Sequence, residues 1–415
     1  MKNVFISRIC LLVALGAGIQ SIVAQAFPEP ERQPAQRPRP GPAVPIRPAP
    51  RTAFGDPLPG LTVDLQSAFA AGLEEFTNVE TPASGLGPIY NNVSCVACHS
   101  VPSPGGSSDI LVTRFGRMIH GQFDPMTDQG GSLLQLFAIN PAAQEVIPRE
   151  ANVITHRQST PLFGLGLIEA IPDNTISQYA NQLKPDGVHG RAALVEDIVS
   201  GKIRVGRFGW KAQQATLLAF AGDAYLNEMG ITSRFFPVEN APNGNELLLA
   251  EFDFTADPED QVDPVTDKSD IDHAADFMRY LAPPPRSAPT MTSRLGEAIF
   301  GQVGCAVCHV PVLQTGPNAI AALDRKPVNL YSDLLLHDMG LLGDGIAQAN
   351  AGTREMRTAP LWGVGASAPY LHDGRALNLD EAIRAHEGEA VPSRNRYNRL
   401  GAVQRSQLLA FLESL

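Results

Sequence analysis

Cysteine is scarce in this chain: 415 residues hold five. Cys10 falls in the N-terminal segment, and the other four fall in two pentapeptides, Cys95-Val96-Ala97-Cys98-His99 and Cys305-Ala306-Val307-Cys308-His309. No thiol is left over for a structural disulfide, which excludes a disulfide-stapled fold. Positive charge is also short, with 32 Lys and Arg against 43 Asp and Glu for a net charge of −11. Phosphate binding needs clustered cations, so no nucleic-acid partner is expected. The apolar run that starts Cys10-Leu11-Leu12-Val13-Ala14-Leu15 stops short of the roughly 20 residues that span a bilayer. Tryptophan is limited to Trp210 and Trp362.

What is present is the repeated Cys-x-x-Cys-His pattern. Two cysteines three apart, with a histidine next, fit one turn of chain. Both sulfurs can then reach the two vinyl groups on one porphyrin edge while the imidazole turns under the iron. Zinc would want a second close pair of ligands, and a thiol redox pair does not explain a histidine at the same place twice. The reading is two covalently bound c-type haems, on Cys95 and Cys98 and on Cys305 and Cys308, with His99 and His309 as iron ligands.

The sixth ligand separates electron transfer from oxidant chemistry. For the second haem the candidates are His337, Met339, Met356, His372 and His386. Leu379, Ile383 and His386 share one face of a helix, which aims the His386 imidazole inward. For the first haem His120, His156, nearby Met118 and an open position all stand. Glu169 is an acid in an apolar run, either suited to proton transfer at a pocket or a paired or solvent-facing carboxylate. Trp210 is either an electron relay or core.

Several features organise the chain. Lys2 and Arg8, the apolar run and Ala24-Gln25-Ala26 read as a signal peptide over 1–26 and predict export to the periplasm. Residues 27–58 are a Pro-rich linker of polyproline character. The remaining length suits two domains, an N-terminal haem domain with an insertion over 59–285 and a C-terminal one over 286–415. The acidic stretch Asp257 to Asp272 and the Pro283-Pro284-Pro285 break would join them. Leu65, Phe69 and Leu73, four apart, predict a helix ending near Phe76, and Ala402 to Leu412 a closing helix. Thr160-Pro161-Leu162-Phe163-Gly164-Leu165-Gly166 follows the first motif and Ala359-Pro360-Leu361-Trp362-Gly363-Val364-Gly365 the second, which suggests a duplication.

The second motif, the Pro-Leu-Trp-Gly turn, and Pro369-Tyr370-Leu371-His372-Asp373-Gly374-Arg375 with Leu379-Asp380-Glu381-Ala382 resemble the bacterial di-haem cytochrome c peroxidase superfamily. Gly85-Leu86-Gly87-Pro88, Gly206 to Ala212, Met229 to Ser233 and Tyr331 to Gly340 resemble its branch of di-haem, or thiol, oxidoreductases. The resemblance covers roughly residues 54–415. It implies a mainly α fold of two cytochrome c-like domains with long loops, each around one c-type haem. It also implies a peroxidase-like oxidoreductase in which the C-terminal haem handles electrons and the N-terminal haem meets peroxide or another oxidant, with a redox protein or a small oxidant such as peroxide as partner. The helix after the His-Asp-Gly turn carries a Met ligand in the peroxidases; here that position is His386. The Trp between the haems has no counterpart in Ala170-Ile171-Pro172-Asp173, so either Trp210 substitutes or that path is absent. A calcium site between the domains is implied, with no ligands assigned. An electron carrier without peroxidase activity, and an oxygenase or protein-modifying oxidase, are the alternatives.

Overall fold

The computed structural model describes residues 52–415, so the expected signal peptide and most of the linker lie outside the described residues. The first helix, Val63–Thr77, starts where the Thr62 hydroxyl accepts the Leu65 amide, satisfying one of the first-turn N–H groups that a helix leaves open. Its buried stripe is Phe69, Gly72 and Phe76. That stripe packs along the Asp270–Tyr280 helix, with the Phe76 and Phe277 ring centroids 4.5 Å apart.

The same unit recurs in the C-terminal half. Thr290 and Ser293 cap each other at the start of the Met291–Gln302 helix, which buries Gly296, Ile299 and Phe300. It packs along Ala402–Leu412, where Phe300 and Phe411 stand 5.3 Å apart. Each crossing closes over a glycine. Gly72 lies against the His273 carbonyl, and Gly296 against the Gln407 carbonyl. The spacing matches in both, since each helix places its Phe four residues after the glycine and each partner places its Phe four after the carbonyl.

The two Pro-Leu-aromatic-Gly turns also match in conformation. Gly164 has φ 72° and Gly363 φ 70°, a region that suits glycine. They meet in space as well, because the Trp362 ring occupies the room a side chain on Gly164 would need.

Strands are more prominent than a mainly α fold allows, and the architecture is mixed α and β. Leu111–Ile119 pairs antiparallel with Val153–Gln158, Gln122–Asp124 and Leu133–Leu134. Ala193–Asp197 forms a hairpin with Lys202–Gly206, its residues alternating buried and exposed. The expected helical pattern missed both ladders because strand pairing is set by partners distant in sequence, and the Ala193–Asp197 strand alternates with a period of two. Asp56 to Leu58, at the end of the expected linker, pairs with Tyr280 to Ala282: Leu58 N–H donates to the Tyr280 carbonyl at 2.6 Å and Ala282 N–H to that of Asp56 at 2.9 Å. The apolar interior divides into a large cluster drawn from Leu58 to Leu335 and a smaller one from Ile299 to Leu415. Among the described residues, no helix is long and apolar enough to cross a membrane.

Candidate functional site

Cys95–Cys98 forms a single helical turn whose C-cap is His99. The His99 Nδ1 lies 3.0 Å from the Gly106 carbonyl oxygen. A carbonyl only accepts, so Nδ1 carries the proton and Nε2 presents its lone pair. Cys305–Val307 forms a tighter turn, and the His309 Nδ1 is 3.0 Å from the Tyr331 carbonyl, which fixes the same tautomer. Each imidazole stands beside the Phe of its helix crossing, His99 at 6.1 Å from Phe76 and His309 at 6.5 Å from Phe300, with interplanar angles of 56° and 55°.

His386 completes a set of three. Asn378 caps the Leu379–Arg384 helix, and just beyond it the His386 Nδ1 lies 2.8 Å from the Ala382 carbonyl. This hydrogen bond again leaves Nε2 free. His309 and His386 line one cavity of about 290 Å³, along with Cys305, Leu379, Trp210 and Trp362. Burial, and next the neighbouring His386, push the His309 pKa down to about 4, and burial lowers those of His386 and His99. All three are therefore neutral near pH 7, as metal ligation by imidazole requires, and each has its outer nitrogen anchored, as ligating histidines do.

The donor chemistry of the cavity fits haem. The four motif cysteines are free. Burial, the largest cause in each, raises Cys95 and Cys305 to about 12 and Cys98 to about 11. Such neutral thiols are poor redox nucleophiles. Arg357 lines the cavity and is buried with no acidic partner acting on it, so burial alone draws its pKa down to about 10. The His372 Nε2, also facing the cavity, is buried without a hydrogen-bond partner. A bound group bearing carboxylates, as haem does with its propionates, would satisfy both.

The other candidates are placed differently. His337 bridges two acids, with Nδ1 2.7 Å from Glu389 and Nε2 3.1 Å from Asp333. Burial opposes its charge, but the hydrogen bonds to Asp333, Cys308 and Glu389 outweigh it and raise the pKa to about 11. The Cys308, Asp333 and His337 cluster is thus an ion-pair network with Lys184, 2.7 Å from Asp333, and its imidazole has no free nitrogen for a metal. Met339 and Met356 line the cavity. His120 is exposed at a turn with φ 49°, His156 faces the Thr113 hydroxyl at 3.2 Å, and Met118 lies in the ladder opposite Phe123.

Glu169 has both oxygens engaged, one with Arg279 Nε at 2.9 Å and the other with the Leu217 N–H at 2.7 Å. This geometry is that of a structural carboxylate. Trp210 Nε1 donates to the Gln158 carbonyl at 2.8 Å, and its ring stands edge-on to His372.

Sequence reasoning missed a half-buried acid at the first motif. Glu228 accepts from the Asn91 side chain at 2.8 Å, while its carbonyl takes the Asn91 N–H. Burial raises the Glu228 pKa; Arg114 and Asn91 oppose the rise, and Asp223 adds to it. The Glu228 charge also acts on Cys98. The run Asn227-Glu228-Met229 reads as ordinary helix surface, so no local signal marks it.

The family profile described as "Di-haem oxidoreductase, putative peroxidase" matches residues 144–415, a span that contains the second motif and not the first. No curated protein matches the chain. Among solved structures, a chain of hydrazine synthase from Kuenenia stuttgartiensis is similar at 14% identity, over 91% of this chain and 100% of that one, with a TM-score of 0.39. The diheme peroxidase BthA from Burkholderia thailandensis is similar at 14% identity, over 84% and 86%, with a TM-score of 0.39. A MauG-like protein associated with microbial copper homeostasis is similar at 20% identity, over 61% and 89%, with a TM-score of 0.31.

Proposed function

Because this chain belongs to the di-haem oxidoreductase family, we propose that it is an exported, peroxidase-like enzyme carrying two covalently bound c-type haems. Cys95 and Cys98 hold one, with His99 on its iron. Cys305 and Cys308 would hold the other, with His309 and His386 as the imidazoles that would bind its iron. The observation that carries this reading is the pairing of His309 and His386 on one cavity, each with Nδ1 tied to a carbonyl and Nε2 free.

Haem supplies one-electron transfer and, where an axial position is open, a place for an oxidant. The protein's own part is positional and electrostatic. Two imidazoles close the C-terminal site and suit it to electron transfer. Imidazole in place of a thioether favours the ferric state and a lower potential. The N-terminal site has only His99 anchored in this way, and we assign the oxidant to it.

Glu169 is held by Arg279 and serves as a brace. Proton supply falls instead to Glu228, a half-buried acid beside the first motif whose raised pKa keeps a proton available nearer neutral pH. Trp362 rests on Gly164 while lining the C-terminal cavity, and Trp210, from the N-terminal half, lines the same cavity, so either ring could couple the two halves. Each half is read as one cytochrome c-like domain, over 59–285 and 286–415, and the signal peptide would deliver the chain to the periplasm.

The test is electron paramagnetic resonance of the ferric holoprotein. The wild type should show one low-spin and one high-spin centre, and His386→Ala should convert the low-spin centre to high spin. An unchanged low-spin signal in His386→Ala would remove His386 from the site. Two low-spin centres in the wild type that ignore cyanide would favour an electron carrier.

A further inference from the structure

Two segments that the haem sites leave unexplained, Gly85 to Pro88 and Met229 to Ser233, meet at a cluster of three carboxylates. Glu239, Asp257 and Glu259 each place an oxygen so that all three atoms lie within 4.8 Å of one another. Glu239 is only 7% exposed, and its Oε2 has no hydrogen-bond partner; its Oε1 accepts the Asn240 N–H at 2.9 Å. A buried, unpartnered carboxylate oxygen facing two other acids is costly unless a proton or a cation joins them. The charges that weigh most on Glu239 are those of Glu259, Asp257 and Asp253, all acidic.

The acids are held in place from outside the cluster. The Thr232 hydroxyl contacts Asp257 Oδ1 at 2.7 Å and also Glu259 Oε2. A hydroxyl has one hydrogen and can donate to only one of them at a time. The Thr232 N–H donates to Glu259 Oε2 at 2.7 Å, and Thr232 accepts the Glu259 N–H at 3.2 Å. Gly85 leaves the space that the Glu259 stem fills, since a side chain there would come within 2.5 Å of its Cβ. More oxygen lone pairs therefore converge here than there are hydrogens to meet them.

We propose that Glu239, Asp257 and Glu259 bind a divalent, oxygen-preferring cation of the calcium class. Calcium–oxygen distances of roughly 2.3–2.6 Å put opposite ligands about 5 Å apart, so three oxygens within 4.8 Å fit around one such ion. Three carboxylates without sulfur or imidazole favour a hard cation over zinc or copper. All three carboxylates lie within residues 239–259, so no residue of 286–415 is among them, unlike a calcium position between the halves as the family resemblance implies. It sits behind the first motif: Gly87 N–H donates to the Met229 carbonyl at 3.0 Å and Asn91 N–H to that of Glu228 at 2.8 Å. A cation there braces the segment that leads into Cys95.

The test uses the full-length holoprotein, stripped with a chelator and titrated calorimetrically with calcium chloride. Glu239→Gln and the exposed-site variant Asp257→Asn are run beside the wild type. We expect each variant to bind calcium at this site at least tenfold more weakly, and calcium to raise the melting temperature of the wild type but not of Glu239→Gln. A calcium site elsewhere would persist in all three proteins and cancel from the comparison. Identical isotherms for the three proteins, or preferential binding of zinc over calcium at this site, would overturn the proposal.

Discussion

A methyl group on Gly72 would sit 2.4 Å from the carbonyl oxygen of His273, so the first helix can cross its partner this closely only because residue 72 has no side chain. The equivalent point in the C-terminal half is Gly296, where a methyl would come within 2.0 Å of the Gln407 carbonyl. Each crossing sets the Phe that stands beside the motif histidine. Gly72→Ala should therefore disturb the N-terminal haem and Gly296→Ala the C-terminal one, each at a cost of about 1–3 kcal/mol from overpacking. Denaturant melts followed at the haem absorption bands would check this, and cross-effects of equal size at both haems would count against two separate crossings.

Asp333 offers a second prediction. Its side chain is fully buried and meets Lys184 at 2.7 Å and His337 at 3.1 Å. Asp333→Asn leaves two buried cations without their shared partner. It should destabilise the protein by about 3–5 kcal/mol, measured by chemical denaturation, with double mutation of Asp333 and Lys184 recovering part of the loss.

The same network sets a pH dependence. The folded pKa of His337 is raised to about 11, against roughly 6.5 for an unperturbed histidine. A raised pKa contributes stability that is complete below the unfolded value and drains away as pH climbs through the folded one. Stability linked to His337 should thus fall between about pH 6.5 and 11. Melting temperatures of the wild type should drop more steeply over that window than those of His337→Gln, and parallel profiles would contradict the assignment.

Proton supply separates Glu228 from Glu169. Glu228→Gln should lower peroxide turnover by roughly 10²-fold or more while both haem spectra stay unchanged. Glu169→Gln, which loosens the contact to Arg279, should lower thermal stability and leave turnover within a few-fold of the wild type. The reverse pattern in steady-state assays would return the proton to Glu169.

The proposed haem-binding residues were legible because their chemistry is local: two cysteines and a histidine within five residues mark the pattern without tertiary information. The Val63–Thr77 and Ala402–Leu412 helices were legible for a similar reason, since their apolar spacing is regular. His386 was singled out by helical spacing from Leu379 and Ile383, although the helix ends at Arg384 and His386 lies just past its cap. What stayed hidden depends on long-range pairing. The Leu111–Ile119 ladder is defined by partners up to 47 residues away, as in the Leu111–Gln158 pair. Arg357 and Glu228 acquire meaning only from neighbours far along the chain. Glu169 looked like a pocket acid because its apolar run says nothing of Arg279, 110 residues on.

The central claim is the pair of thioether-anchored haems, and intact-mass spectrometry of the exported protein tests it most directly. The denatured chain should carry the added mass of two haems, falling to one when Cys305 and Cys308 are both replaced by Ser and to one when Cys95 and Cys98 are. A wild-type chain that sheds all haem on denaturation, or whose mass is that of the polypeptide alone, would contradict the account.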